Sequence, residues 1–366
     1  MLKTFVSPAR YVQGRGAIND LGLELKSICK KALVLCDPFV METMSDTLRK
    51  NLKESEVDAL LIEFAGDSTK QEVNRIADIA KENNVDLVVG IGGGKTLDAA
   101  KGAGAFAGVD FVTVPTIASN DSPTSSFTAW YDENGACLGF DGWGKNPRLV
   151  LVDSQIIANA PSRAFKSGMG DALATWIEAR ACEEGRSTNC IGGRSTMAAQ
   201  ALAKLGYDTL LECGESALRD VELNLVTPAV EKVIESNILL SGLGFESGGC
   251  ATAHMIGNSL PSFQKNHAMT HGENVAFGIL VQLCLEDNRR KEEVIMVTDF
   301  LISIGLPVTL EALGLKEIKQ EELQAIADIC AGEGSLCHCH PFVVTAPDVL
   351  DAIISADALG KSRLTK

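Results

Sequence analysis

The stretch Val85 to Lys101, VDLVVGIGGGKTLDAAK, constrains the fold more than any other part of the chain. Val85 to Val89 is an apolar run suited to a buried strand, and Thr96 to Ala107 is rich in helix formers. Between them Gly90, Gly92, Gly93 and Gly94 predict a tight strand-to-helix turn, because glycine takes positive φ cheaply and lets other atoms approach the backbone. Such a turn leaves the first helical amides unpaired at the positive end of the helix dipole, which suits phosphate oxygens. Neither common phosphate motif fits. The spacing GxxxxGK[ST] needs a glycine where Val89 stands, and GxGxxG counted from Gly90 puts Lys95 at the last glycine. The turn reads as a phosphate cradle of neither type, and the bland alternative is a βα connection with no ligand.

The surrounding pattern alternates strand and helix. Ala32 to Cys36, Ala59 to Phe64 and Phe111 to Pro115 read as strands, with Phe127 to Tyr131 and Arg148 to Val152 as two more and a turn at Glu133-Asn134-Gly135. Met41 to Lys53 and Lys70 to Asn83 have helical periodicity, the second with Val73, Ile76, Ala77, Ile79 and Ala80 on its apolar side. Strands separated by helices of this length imply a parallel sheet covered on both faces. After about Pro161 strand-like runs almost vanish. Ser167 to Ala181, Arg194 to Cys213, Thr227 to Leu243, Gly272 to Leu285, Glu292 to Ile304 and Gln320 to Ala331 all favour helix. The expected organisation is an α/β domain over residues 1–161 and an all-helical domain over 162–366.

A chain of 366 residues is long enough for two such domains. With 33 basic and 48 acidic residues its net charge of −15 opposes non-specific binding to nucleic acid or an anionic membrane. No apolar run reaches membrane-spanning length, and MLKTFVSPARYVQG lacks the apolar core of a signal peptide, so a cytoplasmic location is expected. The eleven cysteines are odd in number and contain no CxxC pair, which fits reduced thiols. Cys337-His338-Cys339-His340 offers four metal-binding side chains in a row, but adjacent side chains diverge and rarely close on one ion.

With only five histidines, their placement is informative. His254 lies in ESGGCATAHMIGNSL, and His267 and His271 lie in KNHAMTHGENVAFGIL, just before a helix. Asp171 sits in SGMGDALATWIEAR. One aspartate and two histidines make a sound zinc set with a position left for water or substrate, although nothing local brings Asp171 to His254. Asp37, at the end of a strand, could accept the hydroxyls of an adenosine ribose and would repel a 2′-phosphate. It could equally be a turn residue before Pro38.

The strings GIGGGKTLDAAK, VPTIASNDSPTS, GMGDALATWIEARAC, GFESGGCATAHMIGNSL and HGENVAFG together resemble the glycerol dehydrogenase branch of the iron-containing, or group III, alcohol dehydrogenase superfamily. The resemblance runs from YVQG near the start to the last helices. It implies an NAD-binding α/β domain with a parallel sheet, then an all-helical metal-binding domain, in a dehydroquinate synthase-like architecture. It places the metal ligands at Asp171, His254 and His271 and a substrate-contacting carboxylate at Asp121. It places the NAD site at Asp37, Gly94, Lys95, Thr96, Leu97, Asp98, Thr116, Ser119, Ser125, Phe127 and Tyr131. Many iron-dependent relatives carry a further histidine four residues after the metal aspartate. Thr175 stands there, which favours zinc.

The activity so implied is zinc-dependent oxidation of glycerol and related vicinal diols to dihydroxyacetone-type products. The metal ion acidifies the alcohol, and hydride passes to NAD. In that scheme Asp121 orients the second hydroxyl and His267 stands outside the ligand set. The substrate partner is a small polyol, with neither nucleic acid nor membrane, and the family suggests a homo-oligomer of eight subunits. Two alternatives stand beside this reading. A sugar-phosphate cyclase of the dehydroquinate synthase type would need more basic residues near the metal motifs than Lys265. A group III dehydrogenase acting on another small polyol or hydroxy acid is the other. The segment Ala136 to Asn146 and the run around Leu336 to Val343 depart from the familiar pattern and bear on the substrate.

Overall fold

The computed structural model describes residues 2–132, 137–265, 269–286 and 290–365. The expected turn at Glu133-Asn134-Gly135 and His267 lie outside the described residues.

Two compact units form. One comprises Val6–Phe165 with Asp220–Gly242, and the other Met1–Phe5, Lys166–Arg219 and Leu243–Lys366. The first is α/β. Its strands are β1 (Tyr11–Gly14), β2 (Lys31–Cys36), β3 (Asp58–Glu63), β4 (Leu87–Gly92), β5 (Asp110–Pro115), β6 (Phe127–Tyr131), β7 (Cys137–Gly142) and β8 (Leu149–Asp153). Six of them make a parallel sheet in the order β1-β8-β5-β4-β2-β3, and β6 and β7 form a separate antiparallel pair. Alternation along each strand divides the core. Val34, Val89 and Val112 pack on one face with Leu21, Leu25 and Leu48, while Leu33, Leu35 and Val88 pack on the other with Val73, Ile76 and Ala103. Both faces are covered, as the near-continuous apolar strands require.

The strand order reverses beside β2. The chain steps outward to β3, then returns across β2 to β4 and continues to β5 and β8. Open parallel sheets bind ligands outside the carboxyl ends of the strands that flank such a switch. Here those ends are Asp37, just after β2, and Gly92 to Gly94, where β4 ends and the next helix begins.

The second unit is helical among the described residues. Its main elements are Ser162–Glu184 (whose first residues belong to the α/β unit), Met197–Val221, Thr252–Ser259, His271–Leu285, Lys291–Ser303, Gln320–Cys330 and Ala346–Leu364. A single boundary near residue 161 follows chain order but not these units. The segment expected as one helix over Thr227 to Leu243 is a helix Pro228–Glu235, a π-helical turn Ser236–Leu240 and the start of a further helix Ser241–Gly248. Most of it clusters with the sheet, because Glu231 accepts from Gln13 Nε2 and Ser154 Oγ at 2.6 Å each, and Asn237 Nδ2 donates to the Ala118 and Phe165 carbonyls at 3.1 Å. Among the described residues no helix is long and apolar enough to cross a membrane.

Candidate active site

In the α/β unit the strand runs through Gly92 and the helix Gly94–Ala107 begins two residues later, so the turn is tighter than four glycines suggested. The reason is space at Gly92. Its φ is +158°, and a Cβ there would lie 2.8 Å from both Asp37 Oδ2 and Thr96 Oγ1. Asp37 caps the helix Pro38–Glu54, accepting from Val40 N at 2.8 Å, and the Gly93 and Phe39 amides also point at its carboxylate. Burial raises the Asp37 carboxyl, and these amides oppose the rise. Thr116 N donates to Gly92 O at 3.0 Å. Asp37, the glycine turn and Thr116 are thus gathered at one end of the sheet.

The remaining expected cofactor residues divide into two groups. Lys95 pairs with Asp67 and lies over the Tyr131 ring, 4.6 Å from its centroid. Asp98 faces inward: its carboxylate meets Lys101 Nζ at 2.8 Å, Ser122 Oγ at 2.6 Å and Ala129 N at 3.2 Å. Lys101, fully buried, also donates to Ser122 O at 2.9 Å and Ser125 Oγ at 3.4 Å. Asp98 and Lys101 therefore shape the loop that carries Thr116, Ser119, Asp121 and Ser125. Leu97 is buried, Asn120 Nδ2 donates to Ser119 Oγ at 3.3 Å, and Phe127 opens β6. Asp121 is half-buried and accepts from Ser241 Oγ at 3.1 Å. Asn237, missed in the sequence, braces the same loop through Ala118 O.

The helical unit brings Asp171, His254 and His271 together. Asp171 Oδ1 lies 3.1 Å from His254 Nε2 and 3.1 Å from His271 Nε2, and the two rings are 5.4 Å apart. The approach depends on Gly272: a Cβ there would fall 1.8 Å from Ser167 O, so only glycine lets the helix carrying His271 press onto the helix carrying Asp171. Thr270 caps that helix with Glu273 in a reciprocal box and fixes where His271 starts. Asp171 and His254 are buried, whereas the His271 side chain is 36% exposed, so the cluster opens on that side.

Glu178, also missed in the sequence, organises this cluster. Its Oε2 lies 2.5 Å from His254 Nδ1, and its Oε1 accepts from His254 N at 2.8 Å and Ala251 N at 3.0 Å. The ring's other nitrogen is left facing Asp171, as in carboxylate-histidine-metal arrangements. Burial alone would push the His254 imidazole down, but Glu178 and Asp171 outweigh it and raise the ring well above the ordinary histidine value. Burial likewise opposes ionisation of Asp171, and His271 and His254 overcome it, holding the carboxyl well below its usual range. The site is built to hold positive charge. One oxygen and two nitrogen donors lie within 4.8 Å of one another, which fits a divalent ion with an open coordination position. Thr175, one turn beyond Asp171, is buried and adds no nitrogen ligand. The Cys337 to His340 run does not converge on one point: Cys337 faces Cys330, Cys339 faces Cys182, and His340 Nε2 meets Thr252 Oγ1 at 2.8 Å.

Comparison with known proteins places this chain. The iron-containing alcohol dehydrogenase family matches residues 8–154. A glycerol dehydrogenase of Citrobacter freundii is 42% identical over 366 residues, all of both chains. A glycolaldehyde reductase of Halobacterium salinarum is 42% identical over 363 residues, 99% of each. The crystal structure of a probable glycerol dehydrogenase from Sinorhizobium meliloti superposes with a TM-score of 0.92 at 38% identity, covering 98% of this chain and 99% of that one. The chain belongs to the iron-containing alcohol dehydrogenase family and is an oxidoreductase of the alcohol dehydrogenase type. Within that family its full-length relatives include several proteins named glycerol dehydrogenase, which selects a dehydrogenase over the cyclase reading.

Proposed function

We propose that the chain oxidises glycerol and related vicinal diols to the hydroxyketone, dihydroxyacetone in the case of glycerol, with NAD as hydride acceptor and zinc as the bound metal. The observation that carries the reading is the convergence of Asp171, His254 and His271 in a chain whose full-length relatives include glycerol dehydrogenases. A zinc ion held by those three side chains supplies Lewis acidity that lowers the pKa of an alcohol oxygen. The protein's own contribution is positioning. Glu178 fixes the His254 ring through Nδ1, and the exposed edge of His271 leaves one side of the cluster open to a small polyol. Asp121, tethered by Ser241, is the proposed orienting carboxylate for the neighbouring hydroxyl.

In the α/β unit, Asp37 is the proposed acceptor for the adenosine ribose hydroxyls, and its charge favours NAD over NADP. The first amides of the helix Gly94–Ala107 are the proposed diphosphate donors, with Lys95, Thr96, Leu97 and Asp98 framing that turn. Thr116, Ser119, Ser125, Phe127 and Tyr131 are the proposed contacts for the rest of the cofactor. The proposed assembly is a homo-oligomer in the cytoplasm.

A specific observation favours a second substrate: the Halobacterium glycolaldehyde reductase matches 99% of the chain at the same 42% identity. Glycerol and glycolaldehyde share two oxygens on adjacent carbons, so both suit a metal with an orienting carboxylate. Steady-state assays with NAD and glycerol at alkaline pH, and with NADH and either dihydroxyacetone or glycolaldehyde, separate them. Glycerol oxidation that a chelator abolishes and added zinc restores is the expected result. An Asp171→Asn variant that kept both zinc and full activity would overturn the metal assignment, and a kcat/KM dominated by glycolaldehyde would move the substrate.

A further inference from the structure

We propose that Cys182 and Cys339 form a peroxide-sensitive dithiol whose oxidation to a disulfide loosens the metal site. Both sulfurs lie within reach of one acceptor, Cys182 Sγ at 3.2 Å and Cys339 Sγ at 3.3 Å from Cys250 O, and the single Cys182 proton can be given to the Cys339 sulfur instead of the carbonyl. The backbone holds them there. Gly185, at the end of the helix bearing Cys182, would place a Cβ 1.8 Å from Cys339 O, and Ser187 Oγ donates to that carbonyl at 3.1 Å. Cys182 is buried and Cys339 half-buried, so Cys339 is the more accessible member of the pair. The hydrogen bond from Cys182 holds the Cys339 thiol below its ordinary value, which suits the more exposed sulfur to act as nucleophile.

The chemistry needs a hydroperoxide, which hydrogen peroxide supplies. The Cys339 thiolate attacks one peroxide oxygen, an S–O bond forms as O–O breaks, and the departing hydroxide takes a proton to become water. The Cys182 sulfur then displaces hydroxide from the sulfenic acid, its own proton completing a second water, and the S–S bond forms. Neither zinc nor NAD takes part.

The link to the metal site is a single peptide unit. Cys250–Ala251 has both thiols within reach of its carbonyl and gives its N–H to Glu178 Oε1, the carboxylate that orients His254. A disulfide removes the S–H donors from that carbonyl and shifts the peptide whose N–H Glu178 accepts, which disturbs the Glu178 support. A second thiol pair, Cys330 and Cys337, is fully buried and serves as an internal control.

The test treats zinc-loaded protein with hydrogen peroxide, maps peptides under non-reducing conditions and follows zinc release with a chromogenic chelator. Wild type, Cys339→Ser and Cys182→Ala are compared. The expected result is a Cys182–Cys339 linked peptide, reversed by dithiothreitol, with zinc release faster by about ten-fold in wild type and unchanged in both variants. Cys339 passing to sulfinic acid without a linked peptide, or a Cys330–Cys337 link appearing first, overturns the dithiol. A Cys182–Cys339 link with unaltered zinc release overturns the coupling. The coupling rests on the metal reading of Asp171, His254 and His271. Protein that binds no zinc before oxidation fails that reading, while the peptide map still decides the dithiol.

Discussion

Glu178 Oε2 lies 2.5 Å from His254 Nδ1, and the same carboxylate takes the backbone amides of His254 and Ala251. One side chain therefore fixes the ring, its tautomer and the first turn of its helix. Glu178→Gln preserves size but removes the charge that holds Nδ1–H. Loss of such a partner weakens metal affinity by about 10–100-fold. Zinc dissociation constants from chelator competition should show this fall, with circular dichroism confirming an intact fold. A constant unchanged within experimental error would reduce Glu178 to a helix-end contact.

Asp37 has two jobs that a substitution can separate. As the N-cap of Pro38–Glu54 it accepts from Val40 N, and serine performs that role nearly as well. As the proposed ribose acceptor and 2′-phosphate repeller it needs its charge. Asp37→Ser should therefore leave thermal stability within about 1 kcal/mol while lowering kcat/KM for NAD and raising it for NADP. The cofactor ratio from parallel assays is the readout, and an unchanged ratio would remove Asp37 from the cofactor site.

The architecture was legible because the buried strands are short apolar runs separated by helices; β2, β3, β4, β5, β6 and β8 all form near their expected positions. β1 and β7 escaped notice. Tyr11–Gly14 is too short for periodicity, and Cys137–Gly142 is exposed along most of its length, so no apolar alternation marks it. Asp171, His254 and His271 came from motif resemblance rather than spacing, because the close packing at Gly272 that unites them is a long-range contact. Glu178 had a visible signal, since it lies two helical turns after Asp171 on the same face, but a glutamate in a helix is ordinary. Asn237 gave none: a polar residue in a helical pattern reads as solvent-facing, and only the fold turns it inward to Ala118.

Lys101 and Asp98 form an ion pair at 2.8 Å with the lysine fully buried. Removing one member of such a pair strands the other charge, at a cost of about 3–5 kcal/mol. Lys101→Met keeps the length of the stem but leaves Asp98, Ser122 and Ser125 without their shared cation. The expected outcome is a lower midpoint in urea unfolding and a raised KM for NAD, because the loop from Thr116 to Ser126 loses its anchor. A variant as stable as wild type would show that Asp98 is satisfied by Ser122 and Ala129 alone.

His340 gives the protein a pH dependence away from the metal ligands. It is buried, its Nε2 meets Thr252 Oγ1, its Nδ1 has no hydrogen-bond partner among the described residues, and its ring stacks on Phe342 at 4.9 Å. Burial pushes the imidazole down from 6.5 to about 4, against the opposing pull of Glu178 and Glu184. Folded protein thus keeps His340 neutral where the unfolded chain protonates it. The associated stability is fully present above pH 6.5 and is lost as pH falls through the interval to about 4, where both states bind the proton. The whole step is worth roughly 3 kcal/mol at one pH unit per 1.36 kcal/mol. Urea unfolding of metal-free protein at closely spaced pH values should show this slope in wild type. His340→Gln, which cannot titrate, should flatten that interval, and an equal slope in the variant would assign the acid loss to other groups.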